Sequence, residues 1–243
     1  MSGLLEVQGI SKRFGGVRAV DECSLRVDEG TLTGLIGPNG SGKTTVFNIV
    51  TGYLKADAGR VRFAGRDVTG KDPGQLYRQG LTRTFQQARV FPQLTVLENL
   101  AVAVGYSWAQ LFTRRIGRQD RERASTLLEE FTLTKVADLQ AAELSYGQRK
   151  LLEFAAVLMS SPRLVMLDEP TAGVNPVLID TMERHIRERQ EAGVTFLIVE
   201  HDMSFVMRLC DPVVVLEAGR PIFAGPPHEA QTNPAVLDAY LGG

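Results

Sequence analysis

Residues 37–44 read Gly-Pro-Asn-Gly-Ser-Gly-Lys-Thr, and no other segment constrains this chain so tightly. A short strand pattern at residues 31–36 precedes them and a helix-forming stretch at residues 43–51 follows. Strand, glycine-rich loop and helix in that order are the context in which the G-x-x-x-x-G-K-[ST] pattern binds phosphate. The glycines let the backbone curl so that successive N–H groups point inward, and the helix N-terminus adds its partial positive charge. The side chain of Lys43 is then expected to reach the β- and γ-phosphates, with the Thr44 hydroxyl on Mg²⁺. The expected nucleotide-binding set is Gly37, Pro38, Asn39, Gly40, Ser41, Gly42, Lys43, Thr44 and Thr45.

Such a loop belongs in an α/β core, and the rest of the chain agrees. Alternating patterns at residues 4–14, 17–27 and 61–68 predict strands. Residues 95–159 are dominated by helix formers, as in LENLAVAV, DRERASTLLEEF and GQRKLLEFAAVLM. Strand signals return at 164–167, 194–199 and 213–217, separated by helical stretches at 176–190 and from Met203 onward. Residues 218–220 suit a hairpin turn. Strands alternating with helices imply a parallel sheet covered on both faces, with the helical middle as an insertion.

Composition removes several alternatives. There are 27 Lys and Arg against 28 Asp and Glu, a net charge of −1, which supplies no global positive field for nucleic acid. Two cysteines, Cys23 and Cys210, cannot build a disulfide framework or a four-ligand zinc site and read as small core residues. The opening MSGLLEVQGISKRF lacks the basic start and apolar run of a signal peptide, and no stretch reaches 18 uninterrupted apolar residues. A cytosolic protein is expected.

A second candidate feature is RLVMLDE at residues 163–169, four apolar residues ending in two carboxylates. Ligands of open α/β sheets sit at the C-terminal ends of strands. There Asp168 can hold a Mg²⁺ shell, while Glu169 can orient or deprotonate an attacking water.

Leu144-Ser145-Tyr146-Gly147-Gln148 resembles the signature motif of ABC ATPases, and the remaining motifs of that family fall in order around it. Gln86 in RTFQQ resembles the Q-loop glutamine, residues 172–175 the D-loop, His201 in IVEHD the switch histidine, and Phe14 the aromatic that stacks on adenine. Within the family the chain is most similar to ATP-binding subunits of branched-chain amino acid importers. The phrases RFGGVRAV, RTFQQARVFPQLTVLENL, LSYGQRKLLEFA, LDEPTAGVNP, VEHDMSFVM and NPAVLDAYLGG carry that similarity. Urea or amide importers and lipopolysaccharide exporters resemble it more broadly, and a non-transport ABC ATPase is the more distant alternative. Three positions depart from the commonest pattern: Tyr146 in place of an inner glycine, Asn175 in place of the D-loop aspartate, and Phe14 in place of tyrosine.

The resemblance implies one ABC ATPase domain over residues 1–243. It would comprise a P-loop core with a mainly parallel sheet, an N-terminal antiparallel β subdomain and an inserted helical subdomain at 90–159; residues 1–89 and 160–243 would form the core. It implies ATP and Mg²⁺ as ligands, with Gln86 joining the nucleotide-binding residues and Thr44, Gln86 and Asp168 around the metal. Lys43, Glu169 and His201 form the implied catalytic set, Glu169 as general base. Ser145, Gly147 and Gln148 would cover the nucleotide on a second ATPase subunit, identical or related. Further implied partners are two transmembrane permease subunits and, indirectly, an extracytoplasmic solute-binding protein, with no nucleic acid. That places the chain peripherally on the inner face of the cell membrane. Residues 88–96, with Val90, Phe91 and Leu94, would form the groove for a permease helix.

Two weaker features have plain readings. Arg114, Arg115, Arg118, Arg121 and Arg123 are diluted by Asp120 and Glu122, as on a solvated helix face. His185, among the charges of TMERHIRERQ, is expected to be exposed.

Overall fold

Alternation over the first 27 residues produces two long strands, β1 (Leu5–Phe14) and β2 (Val17–Val27). With β4 (Ala58–Phe63) and β5 (Arg66–Asp67) they form a four-stranded antiparallel sheet in the order β2-β1-β4-β5. Leu5, Val7 and Ile10 point into the core from β1. The computed structural model describes residues 3–84, 90–105 and 117–241.

A second sheet contains β3 (Leu32–Ile36), β6 (Leu81–Arg83), β7 (Leu164–Asp168), β8 (Thr195–Val199), β9 (Val213–Glu217) and β10 (Arg220–Gly225). Its order is β10-β9-β3-β8-β7-β6, parallel throughout except for the β9–β10 hairpin. Every residue of β3, β7 and β8 is buried, as continuous apolar strands covered on both faces must be. Among the described residues the α-helices in chain order are α1 (Lys43–Val50), α2 (Pro73–Tyr77), α3 (Val96–Ala103), α4 (Arg118–Glu130), α5 (Tyr146–Leu158), α6 (Pro176–Glu191), α7 (Met203–Leu209), α8 (Pro227–Ala230) and α9 (Pro234–Leu241).

The chain divides into two compact units. The first comprises Met1–Arg83, Arg163–Thr171 and Glu183–Gly243 and holds both sheets. Its core joins Leu5, Val7 and Ile10 of one sheet to Leu35, Met166 and Leu197 of the other, with Phe47 of α1 among them.

The second unit, Thr84–Pro162 with Ala172–Met182, is helical. Its buried side chains include Leu100, Leu127, Phe131, Leu152 and Phe154, and Phe131 meets Phe154 edge-on with centroids 5.5 Å apart. Thr95 and Glu98 close a capping box on α3, which ties the start of that helix to its sequence signature.

Three local expectations change. Residues 61–68 are not one strand: the chain turns at Ala64 (φ +50), separating β4 from β5. His185 is buried, not exposed; on α6 it shares a face with Met182 and Ile186, and its Nδ1 lies 3.2 Å from Glu188 Oε2. Of the expected groove, Leu94 and Val96 are buried, Leu94 against Ala101, whereas Phe91 is exposed. Ala88 lies outside the described residues, as do Arg114 and Arg115; Arg118 is exposed and paired with Glu122 at 2.8 Å.

Candidate active site

Strand register sets where the site residues emerge. Val199 of β8 is the partner of Leu35 on one side and of Asp168 on the other. The chain therefore leaves β3, β7 and β8 at one level, which brings Gly37, Glu169 and His201 to the same C-terminal sheet edge.

The loop after β3 is shaped by close backbone approach. A Cβ on Gly37 (φ +147) would lie 2.1 Å from the Leu216 carbonyl oxygen, and one on Gly42 (φ +101) 2.4 Å from that of Ala19. Only glycine fits either position. Gly42 is the N-cap of α1, so the first N–H groups of that helix, from Lys43, Thr44 and Thr45, lack intrahelical acceptors. Asn39, Gly40 and Thr44 are exposed along the same curl, Pro38 and Thr45 are half-buried, and Ser41 is buried.

Lys43 is buried, and its Nζ donates to the carbonyls of Gly37 at 2.7 Å and Pro38 at 2.9 Å. Burial pulls its ammonium below the ordinary lysine range, while the carboxylate of Glu169 acts in the opposite sense. A cation held inside a loop of inward N–H groups is a cradle for a polyanion.

Asp168 ends β7 buried, and Glu169 follows in the left-handed region at φ +46. A non-glycine residue there is strained, a feature that gathers at functional sites. Its N–H donates to the Val199 carbonyl at 2.9 Å, which ties Glu169 to the end of β8. His201 Nδ1 stands 3.8 Å from Glu169 Oε2. The hydroxyl of Thr44 and the carboxylate of Asp168 are hard oxygen donors of the kind Mg²⁺ takes when substrate phosphates complete its shell, so the residues fit that ion. Gln86 lies outside the described residues.

Phe14, at the end of β1, is half exposed, with the Lys12 ammonium 5.9 Å from its ring centroid. A solvent-facing ring of this kind can stack on a base.

In the second unit, Ser145 is the N-cap of α5. Its Oγ accepts from the Gln148 N–H at 3.2 Å, and the Gln148 side chain accepts from the Ser145 N–H at 2.9 Å. The Tyr146 hydroxyl donates to the Ala172 carbonyl at 3.1 Å. A Cβ on Gly147 would meet Leu178 Cδ2 at 2.7 Å. The D-loop variant Asn175 caps α6, accepting from the Leu178 N–H at 2.9 Å.

Two supporting residues escape sequence reasoning. Arg83 of β6 donates to Asp168 Oδ2 at 2.8 Å; its only sequence signal is its place three residues before Gln86. Gly219 of the β9–β10 turn donates its N–H to the Ser41 carbonyl at 2.9 Å and accepts from the Asp21 N–H at 3.0 Å, bracing the phosphate loop.

The family model for the ABC transporter matches residues 20–172, from Val20 in β2 through Ala172. The chain belongs to the ABC transporter family. A second family model, for the branched-chain amino acid ATP-binding cassette transporter, matches residues 220–243. The chain is 42% identical to the high-affinity branched-chain amino acid transport ATP-binding protein BraF of Pseudomonas aeruginosa, over 98% of each chain. It is 41% identical to the corresponding protein LivG of Salmonella typhimurium, again over 98% of each. Among solved structures it resembles the ADP conformation of an ATP-binding cassette of an ABC transporter, with TM-score 0.87 and 38% identity over all of both chains. A nucleotide-free cassette gives TM-score 0.86 and 38% identity over 99% of each. This ABC cassette is therefore an ATPase subunit of a transporter. Among its described residues no helix is long and apolar enough to cross a membrane.

Proposed function

We propose that this ABC cassette binds ATP on residues 37–45 and hydrolyses it to drive import of branched-chain amino acids across the cytoplasmic membrane. The observation that carries the solute class is the match of residues 220–243 to the C-terminal model of branched-chain amino acid cassettes. Relatives of equal length that are named for that transport support it.

Lys43 exchanges the Gly37 and Pro38 carbonyls for the β- and γ-phosphates, while the N–H groups opening α1 hold the phosphate oxygens. Phe14 stacks on the adenine. Glu169 accepts the proton of the water that attacks the γ-phosphorus as the bond to the bridging oxygen breaks and ADP leaves. His201, beside Glu169, aligns water and γ-phosphate. Thr44, Asp168 and Gln86 would hold Mg²⁺, which supplies neutralisation of phosphate charge. Ser145, Gly147 and Gln148 face the nucleotide of a second ATPase subunit; the Ser145 hydroxyl, an acceptor toward Gln148, keeps its own hydrogen to donate. Two permease subunits dock the pair at the inner membrane face, so the chain is peripheral and cytoplasmic. ATP bridging two subunits closes them, and loss of the γ-phosphate opens them.

Tagged Glu169→Gln protein, incubated with ATP and solubilised membranes of its host, tests the transport reading by mass spectrometry of what it retains. Two multi-span permeases with a second cassette are expected. Recovery of soluble partners alone, or of an export assembly, would contradict import.

A further inference from the structure

Glu200 follows β8, between the apolar strand and His201, and no part of its surface is exposed. Its two carboxylate oxygens serve two different loops. Oε1 accepts from the Thr171 N–H at 2.8 Å and from the Thr171 hydroxyl at 2.6 Å. Oε2 accepts from the His201 N–H at 3.0 Å and from the Asp202 N–H at 3.3 Å, and lies 3.6 Å from His201 Nδ1. Thr171 is two residues after Glu169. The loop bearing the general base and the loop bearing the switch histidine are thus fastened to one buried carboxylate.

We infer that Glu200 is a positioning residue for ATP hydrolysis, holding Glu169 and His201 at their working separation through Thr171 and the 201–202 backbone. This rests on the roles given above to Glu169 and His201. The physical reason is the demand of the chemistry: an acid–base group displaced by about 1 Å can lose on the order of 100-fold in rate. Glu169 itself sits in a strained backbone conformation at φ +46. A residue held there persists only when its surroundings over-determine it. One covalently rigid carboxylate with four donors, three of them backbone N–H groups, provides that constraint. A neutral polar side chain cannot replace it, because an amide in place of either oxygen turns an NH₂ toward N–H donors. At the other end Asp202 caps α7, accepting from the N–H groups of Ser204 and Phe205, so the second loop is anchored to a helix as well.

The test compares Glu200→Gln and Thr171→Val with wild type in nucleotide binding by fluorescent ATP titration and in single-turnover hydrolysis. Both substitutions should lower the hydrolysis rate, Glu200→Gln by about 10-fold or more, with ATP affinity changed less than about twofold. In a His201→Ala background Glu200→Gln should lose a smaller factor than it does alone, since only its hold on the Glu169 loop then remains to be lost. Unchanged turnover in both variants overturns the inference. So does a rate loss matched by an equal loss of ATP affinity, or the same fold-loss in the His201→Ala background, because either marks a merely structural residue. If Glu200→Gln does not fold, Thr171→Val carries the same criteria, alone and over His201→Ala. Wild-type turnover in Glu169→Gln or His201→Ala would instead remove the roles on which the inference stands, a failure visible in those variants alone.

Discussion

Arg83 Nη2 donates to Asp168 Oδ2 at 2.8 Å while the guanidinium lies 4.8 Å from the ring centroid of Phe47 and 5.2 Å from that of Tyr53. The same group bonds Asn48 at 2.7 Å and Thr51 at 2.9 Å, both at the end of α1. One planar cation therefore joins β6, α1 and the strand that carries the candidate metal ligand.

Removing Arg83 leaves a buried carboxylate without this partner, the costly half of breaking a buried pair. Arg83→Leu should destabilise the protein by about 3–5 kcal/mol, read from urea unfolding. Arg83→Lys should recover only part of that, because an ammonium cannot supply the fork that reaches Asn48, Thr51 and Asp168 together.

Ser145 is expected to serve twice, as the cap of α5 and as a ligand to a second subunit's nucleotide. Ser145→Ala should cost about 1 kcal/mol of stability and also lose turnover. Asparagine is as good an N-cap as serine, so Ser145→Asn should regain the stability and not the turnover. ATP affinity of the isolated chain should be unchanged in both. Recovery of turnover by Ser145→Asn would reduce Ser145 to a cap.

Burial pushes the Cys23 thiol up to about 11 and the Cys210 thiol up to about 12. At pH 8 neither forms the reactive thiolate in the native protein. Iodoacetamide should label neither cysteine natively and both after denaturation, counted by mass spectrometry. The sign for stability follows: the unfolded thiols ionise first, so stability should fall as pH rises above the ordinary value of 9.0, through about 11 and about 12.

The parts of the site legible in the sequence are those where local pattern and chemistry coincide. Residues 37–44 sit between a strand and a helix, and Asp168 and Glu169 end an apolar run, so each announces its place on the sheet edge. Arg83 does not, because β6 has three residues and no alternation, and Asp168 lies 85 residues away. Glu200 does not for a similar reason: its partner Thr171 is 29 residues distant. His185 is not legible as a buried residue because its immediate neighbours are charged, whereas the helical period sets it beside Met182 and Ile186. Leu94 suits a groove or a core equally by pattern, and its burial against Ala101 decides for the core.

The central claim is that Glu169 removes the proton of the attacking water while the loop at 37–45 binds ATP independently of it. Glu169→Gln, with wild type beside it, is measured for ATP binding, hydrolysis and mass by light scattering with and without ATP. Retained ATP binding, loss of hydrolysis and a doubling of mass only with ATP are expected, because the amide cannot take the proton of the attacking water and the γ-phosphate that keeps the pair closed is not lost. Wild-type hydrolysis by Glu169→Gln would contradict the claim.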